Sequence, residues 1–191
     1  MSKTESSMVK LGTVAPPFEL TDVVSGKAVG RDDVAADTRG LLVMFICVHC
    51  PYVRHVEQEL ARIGVDYKGK VGIVAISSND AIAFPEDRPD EMKAQAKRLR
   101  FQFPYMYDET QEVAHEYHAA CTPDFFLFDA EMKLVYRGQL DDSRPQRPSG
   151  GGNDIAVTGH DLRAALDAVV AGKRPNTDQR SSIGCNIKWR E

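Results

Sequence analysis

The sequence lacks any long apolar stretch. Its longest uninterrupted run, Leu41 to Val48, is eight residues, under half of what a membrane-crossing helix needs. The opening residues, Met1 to Ser7, carry an acid and hydroxyls with no apolar block behind them, so no signal peptide is expected. A charge excess of one sign is missing as well: 24 basic residues face 28 acidic ones, for a net charge of −4. Lys and Arg are scattered, which leaves no basic stripe for a nucleic-acid backbone. Cysteine is sparse, four residues in 191, too few for a framework of structural disulfides in a reducing compartment. These absences predict a cytoplasmic protein with no membrane and no nucleic-acid partner.

What is present is globular. A hydrophobic fraction of 42% and a charged fraction of 27% exclude a disordered or fibrous chain. A chain of this length buries roughly 70% of the surface it exposes when unfolded, so one domain over residues 1–191 is expected. Residues 1–10 read as a frayed polar end. From Leu11 to Gly30, Pro16-Pro17 and the Ser25-Gly26-Lys27 turn predict a short extended hairpin.

The centre of the chain reads strand, helix, strand. Leu41-Leu42-Val43-Met44-Phe45-Ile46 is continuously apolar, as is Val71-Gly72-Ile73-Val74-Ala75-Ile76, the mark of strands buried on both faces. Between them, Pro51 suits a first helical turn, and Val53, Val56, Leu60 and Ile63 recur at helical spacing. This is a parallel βαβ unit. Cys47-Val48-His49-Cys50 lies where its first strand hands over to its helix.

Beyond it, Met92, Ala96 and Leu99 outline a second helix, and Val113 with Tyr117 a short third. Asp124 to Phe128 and Leu134 to Tyr136 predict two antiparallel strands. Residues 139–156, with Pro145, Pro148 and Gly150-Gly151-Gly152, read as a mobile loop. A closing helix carries Thr158 as N-cap, Leu162, Leu166, Val169 and Val170 as its apolar face, and Gly172 as its stop. The tail, residues 176–191, holds Ser182 to Trp189 and is expected to dock on the domain.

Thiol–disulfide exchange needs a thiolate to attack and a second thiol close by to resolve. C-x-x-C at a helix start meets both needs: the first cysteine is expected to be accessible and to face the positive end of the helix dipole. Cys47 is therefore read as nucleophile and Cys50 as resolver. His49, between them, reads either as a solvent-facing residue or as one that favours the thiolate and makes the dithiol more oxidising. Cys121 reads first as a small buried hydrophobe, with an auxiliary thiol beside the dithiol as the alternative, while for Cys185 a third redox role and plain packing stay open. His115-x-x-His118-x-x-Cys121 has metal-ligand residue types, but the turn before Cys121 breaks the helical register, so no metal is expected. Gly150–Gly152 lacks a following Lys-Ser/Thr and is no phosphate cradle. Asp141-Asp142 and Glu86-Asp87 read as solvated surface.

A βαβ unit with Phe45-Ile46-Cys47-Val48-His49-Cys50-Pro51-Tyr52-Val53, then Ala75-Ile76-Ser77-Ser78-Asn79-Asp80 and Cys121-Thr122-Pro123-Asp124-Phe125-Phe126, resembles the thioredoxin fold. With the Gly184-Cys185-Asn186-Ile187-Lys188-Trp189 tail, the whole chain from about Leu11 to Trp189 resembles the bacterial redoxins related to the thiol-specific antioxidant group. The resemblance implies an α/β fold with a central mixed sheet flanked by helices. It also implies that Thr122-Pro123 forms a cis-proline loop facing the dithiol and offering backbone to a bound peptide. Two departures stand out. Thioredoxins proper have Trp before the first cysteine and Gly-Pro between the two, and they bury an acid in the first strand; this chain has Ile46, Val48-His49 and an acid-free Leu41 to Ile46.

The reading that follows is a thiol–disulfide oxidoreductase without a cofactor, a monomer or homodimer. It would act on disulfide-containing proteins or small molecules and draw on a thiol reductant. Two alternatives are a peroxiredoxin-like thiol peroxidase and a non-enzymatic redox sensor. The peroxidase motif asks for Thr and Pro three and seven residues before the reactive cysteine; before Cys50 those places hold Cys47 and Val43.

Overall fold

Every residue from Gly40 to Phe45 is buried, because this strand has a neighbour along each edge and packed side chains on each face. The computed structural model describes residues 3–146 and 150–190. In chain order, its first half comprises β1 (Lys3–Glu5), β2 (Glu19–Thr21), β3 (Ala28–Gly30), α1 (Arg31–Ala35), β4 (Gly40–Phe45), α2 (Pro51–Asp66) and β5 (Gly72–Ser77). The second half comprises α3 (Pro89–Leu99), β6 (Tyr105–Tyr107), α4 (Glu112–Glu116), β7 (Cys121–Thr122), β8 (Asp124–Asp129), β9 (Leu134–Gly138), α5 (His160–Val170) and β10 (Ile183–Asn186).

The central sheet runs β6-β5-β4-β8-β9. β4 pairs parallel with β5, and β5 with β6, whereas β8 is antiparallel to both β4 and β9. The sheet is therefore mixed. Side chains alternate across it. Leu42, Met44, Ile73, Ala75, Phe125 and Leu127 share one face with Val53, Leu60 and Ile63 of α2 and Leu162 and Leu166 of α5. Leu41, Val43, Phe45, Val74, Ile76, Phe126 and Phe128 face the other way, against Val113 and Ala114 of α4 and Phe18 beside the hairpin. Burying each such side chain stabilises the fold by roughly 1.5–3 kcal/mol. The β2–β3 hairpin pairs Glu19 with Gly30 and Thr21 with Ala28.

Several details differ from the sequence reading. Lys3–Glu5, inside the segment expected to fray, forms β1 and pairs with Ile183 to Cys185 of β10. α1, β6 and the two-residue β7 had no local signal strong enough to read. Asp141, read as solvated surface, is 4% exposed; its Oδ2 accepts from the backbone N–H groups of Thr158 and Gly159, both at 2.7 Å. That contact moves the start of α5, whose N-cap is Gly159 in the left-handed region rather than Thr158. Gly172 does close this helix, with φ +69° and its N–H donating to the Val169 carbonyl. The loop over 139–156 holds no helix or strand among the described residues, and Pro148 lies outside them. Asn153 Oδ1 accepts from the Arg144 N–H at 2.9 Å and its Nδ2 donates to the Asp142 carbonyl at 2.7 Å, tying the loop's two arms together. Among the described residues no helix is long and apolar enough to cross a membrane.

Candidate active site

Cys47 follows the end of β4, and Cys50 is the N-cap of α2 with Pro51 as its first helical residue. The helix thus begins one residue after the second cysteine, not at the first. Pro51 sets this boundary, since its fixed φ suits the first turn and its missing N–H is not needed there. The N–H groups of Val48 and His49, left out of the helix, both donate to Asp87 Oδ1 at 2.8 and 3.1 Å. The position nearest the helix N-terminus consequently belongs to Cys50.

The Thr122–Pro123 peptide bond is cis, and Thr122 touches both sulfurs. Its Oγ1 lies 3.4 Å from Cys47 Sγ, and its carbonyl oxygen 3.1 Å from Cys50 Sγ. Thr122 and the dithiol thus meet, as the resemblance implies. The accessibility expected of Cys47 does not hold: it is 1% exposed and Cys50 is fully buried. The tail lies against the same residue, Thr122, that touches both sulfurs. β10 runs antiparallel along β7, with Cys185 opposite Thr122 and Asn186 opposite Cys121. The backbone edge that the resemblance assigns to a bound peptide is filled by the chain's own residues 185 and 186.

Asp87, also read as solvated, is completely buried, while its neighbour Glu86 is exposed. It sits at the end of a short 3-10 turn, Pro85–Asp87. His49 Nδ1 lies 2.5 Å from Asp87 Oδ2, which also accepts from Asn79 Nδ2 at 2.7 Å. Asn79 Oδ1 in turn accepts from the Lys188 backbone N–H at 2.8 Å. One polar chain therefore runs from the tail through Asn79 and Asp87 to the residue between the cysteines. The His49 ring stacks on Phe84 at 5.7 Å, which fixes its plane.

These contacts set the charges. The hydrogen bond to Asp87 pushes the His49 pKa up against the opposing effect of burial. Burial would raise Asp87, but hydrogen bonds from His49 and Asn79 hold it below the ordinary carboxylate value. Burial pushes the Cys47 thiol well up, and its hydrogen bond with Cys50 and the negative charge of Asp87 add to that. Burial also opposes ionisation of Cys50, yet hydrogen bonds from Cys185, Cys47, the Val53 N–H and Thr122 bring its thiol down. The two thiols are thus pushed in opposite directions, Cys47 up and Cys50 down.

Cys121 faces away, its sulfur 3.6 Å from the Pro123 carbonyl, and burial pushes its thiol up. The ligand atoms of His115, His118 and Cys121 do not gather. α4 ends at Glu116, His118 takes a left-handed conformation, and His115 instead stacks on Trp189 at 4.2 Å. Among the described residues, the group whose ligand atoms do gather is Cys47, His49 and Asp87, within 4.8 Å of one another. Both Asp87 oxygens and His49 Nδ1 are already engaged in hydrogen bonds, a donor set arranged to share protons.

Residues 11–137 match the model of the AhpC/TSA family. The chain belongs to that family. A solved structure of an uncharacterized conserved protein from Geobacillus kaustophilus is 53% identical, with a TM-score of 0.93 over 100% of this chain and 97% of that one. A hypothetical protein from Sinorhizobium meliloti 1021 is 48% identical, with a TM-score of 0.92 over 98% of each. The thioredoxin domain of a thiol-disulfide oxidoreductase from Bacteroides vulgatus shares the fold at 21% identity, with a TM-score of 0.56 over 68% of this chain and 88% of that one. No curated protein matches the chain. This AhpC/TSA family member is thus a redoxin with a thioredoxin-like fold.

Sequence reasoning missed two of the site's polar residues. Asp87 carried a faint signal, an acid held between Pro85 and Pro89 in a rigid turn. Asn79 stood in a recognised stretch, but nothing in its spacing pointed to Asp87 or to the tail.

Proposed function

We propose that this redoxin is a thiol–disulfide oxidoreductase whose working pair is Cys47 and Cys50. The observation that carries this is that both sulfurs converge on Thr122, at 3.4 Å from its hydroxyl and 3.1 Å from its carbonyl. In this reading Cys50, whose thiol is the one held down, is the attacking sulfur, the reverse of the roles read from the C-x-x-C at the helix start. Its thiolate attacks a client disulfide, an S–S bond to the client forms, and one client sulfur leaves as a thiolate. The Cys47 thiol then gives up its proton and attacks the mixed disulfide, leaving a Cys47–Cys50 disulfide and a fully reduced client. A thiol reductant returns the pair to its starting state. The clients are protein or small-molecule disulfides admitted when the tail strand lifts from β7.

Trapping tests this. Cys47→Ser should hold clients as mixed disulfides on Cys50, and Cys50→Ser should hold far fewer. Trapping by Cys50→Ser alone would restore the opposite roles. Dithiothreitol-driven insulin reduction no faster than background, with no trapping by either variant, would leave only a redox-sensing role.

A second reading, thiol peroxidase, is favoured by one observation: Cys50 is fully buried, a place that suits an oxidant of two heavy atoms better than a protein. Its thiolate would attack one peroxide oxygen, water would leave, and the Cys50 sulfenic acid would condense with Cys47. Thiol-dependent loss of hydrogen peroxide, abolished by Cys50→Ser, identifies this activity.

A further inference from the structure

The tail brings a third sulfur to the pair. Cys185 lies opposite Thr122 in the β7–β10 ladder, and residues so placed have Cβ atoms about 4.5–5.5 Å apart on one face. Thr122 is the residue that touches both Cys47 and Cys50. Cys185 therefore projects to the dithiol side, whereas Cys121, one residue away on β7, points to the other. Cys185 is 2% exposed and lies in the same buried cluster as Cys47 and Cys50. Cys47, Cys50 and Cys185 thus gather in one cluster about Thr122.

We propose that Cys185 is a third exchange thiol, to which the Cys47–Cys50 disulfide passes within the closed molecule. The inference rests on the oxidoreductase reading above. In the step, Cys185 loses its proton and its sulfur attacks Cys50 Sγ. The Cys50–Cys185 bond forms as the Cys47–Cys50 bond breaks, and Cys47 leaves as a thiolate that takes up the proton. No electrons enter or leave: Cys185 and Cys47 exchange oxidation states and Cys50 stays oxidised throughout. The step stores the oxidising equivalent in a bond between α2 and the tail, and it restores the Cys47 thiol.

This arrangement also gives the tail's close docking a chemical use. Gly184 lies so near β7 that a Cβ would run into the Thr122 carbonyl, and that approach seats Cys185 at the dithiol. The Lys188 N–H held by Asn79 and the pairing of β10 with β1 fix the tail on either side of Cys185.

The test is disulfide mapping of the full chain after equilibration in glutathione buffers, by acid quenching, alkylation and mass spectrometry of non-reduced peptides. Wild type should contain both Cys47–Cys50 and Cys50–Cys185. Cys47→Ser should form Cys50–Cys185 at a glutathione ratio within about tenfold of that which oxidises Cys47–Cys50 in Cys185→Ser, a potential gap of about 30 mV. The wild-type map needs no variant, so a folding defect in Cys47→Ser leaves the test standing. Cys185 found alkylated in wild type at every ratio at which Cys185→Ser forms Cys47–Cys50 would overturn the inference and leave the oxidoreductase reading intact. Absence of the Cys47–Cys50 bond in Cys185→Ser, together with no insulin reduction, would overturn both.

Discussion

Asp87 Oδ2 lies 2.5 Å from His49 Nδ1, in a pair whose acid is fully buried and whose ring is 11% exposed. The acid comes from a turn some 38 positions along the chain, so the residue between the cysteines is governed by one distant in sequence. Asp87→Asn removes the charge while keeping the shape. Burial, which lowers the His49 pKa, then acts without the Asp87 hydrogen bond that raises it. The His49 pKa should fall below the wild-type value, as read from imidazole proton shifts against pH, and the fold should lose about 1–3 kcal/mol. An unchanged His49 titration would show that the contact does not persist in solution.

The same pair gives stability a defined pH window. His49 is raised above its ordinary 6.5, so its contribution is complete below 6.5 and is lost as pH rises through the higher folded value. Asp87 is held below its ordinary 3.8, so its contribution is complete above 3.8 and is lost as pH falls through the lower folded value. The stability gap between wild type and Asp87→Asn should therefore be widest between 3.8 and 6.5 and narrow on both sides. Urea unfolding across pH measures it; a gap that keeps growing above neutrality would contradict the assignment.

Asp141 replaces the missing side-chain cap of α5. Asp141→Ala leaves the Thr158 and Gly159 N–H groups without their acceptor and should cost about 1–3 kcal/mol. Thermal unfolding reads the loss. Because hydrogen bonds from Ser143, Gly159 and Thr158 outweigh burial and lower the Asp141 pKa, the difference should shrink below pH 3.8. Asp142→Ala, at a neighbour whose carboxylate accepts from Gln139 and Arg180 at 2.8 Å but not from the start of α5, is the comparison and should cost less than Asp141→Ala.

Gly184→Ala drives a methyl into the Thr122 carbonyl and should weaken the β7–β10 contact. Cys47 is closed off in the wild type, so its alkylation reports tail opening. A substitution that makes opening easier by about 1.4 kcal/mol raises that rate about tenfold. Iodoacetamide labelling followed by peptide mass spectrometry measures it. No change in rate, in a variant whose overall unfolding is also unchanged, would mean the tail does not gate the dithiol.

Much of the framework was legible in the chain itself. Leu41 to Ile46 and Val71 to Ile76 are continuous apolar runs, and a strand covered on both faces needs that composition, so β4, β5 and the helix between them follow from local pattern. Pro51 and Gly172 mark helix ends through backbone chemistry that needs no partner. β6 was not legible because Tyr105–Tyr107 is too short for a periodicity and is a strand only because β5 offers it an edge. β1 likewise exists only because β10 pairs with it.

The sequence by itself determined the dithiol, its place between strand and helix, and the Thr-Pro that meets it. Only the tertiary structure decided its environment. Asp87 and Asp141 look like any surface acids in sequence, and they are buried because distant N–H groups lack other acceptors. The tail is apolar by composition, but which edge it fills is a matter of pairing across the whole fold. That pairing sets Cys185 opposite Thr122, in the buried cluster that holds Cys47 and Cys50. Hydrogen-bond satisfaction and burial act between residues far apart along the chain, where spacing carries no signal.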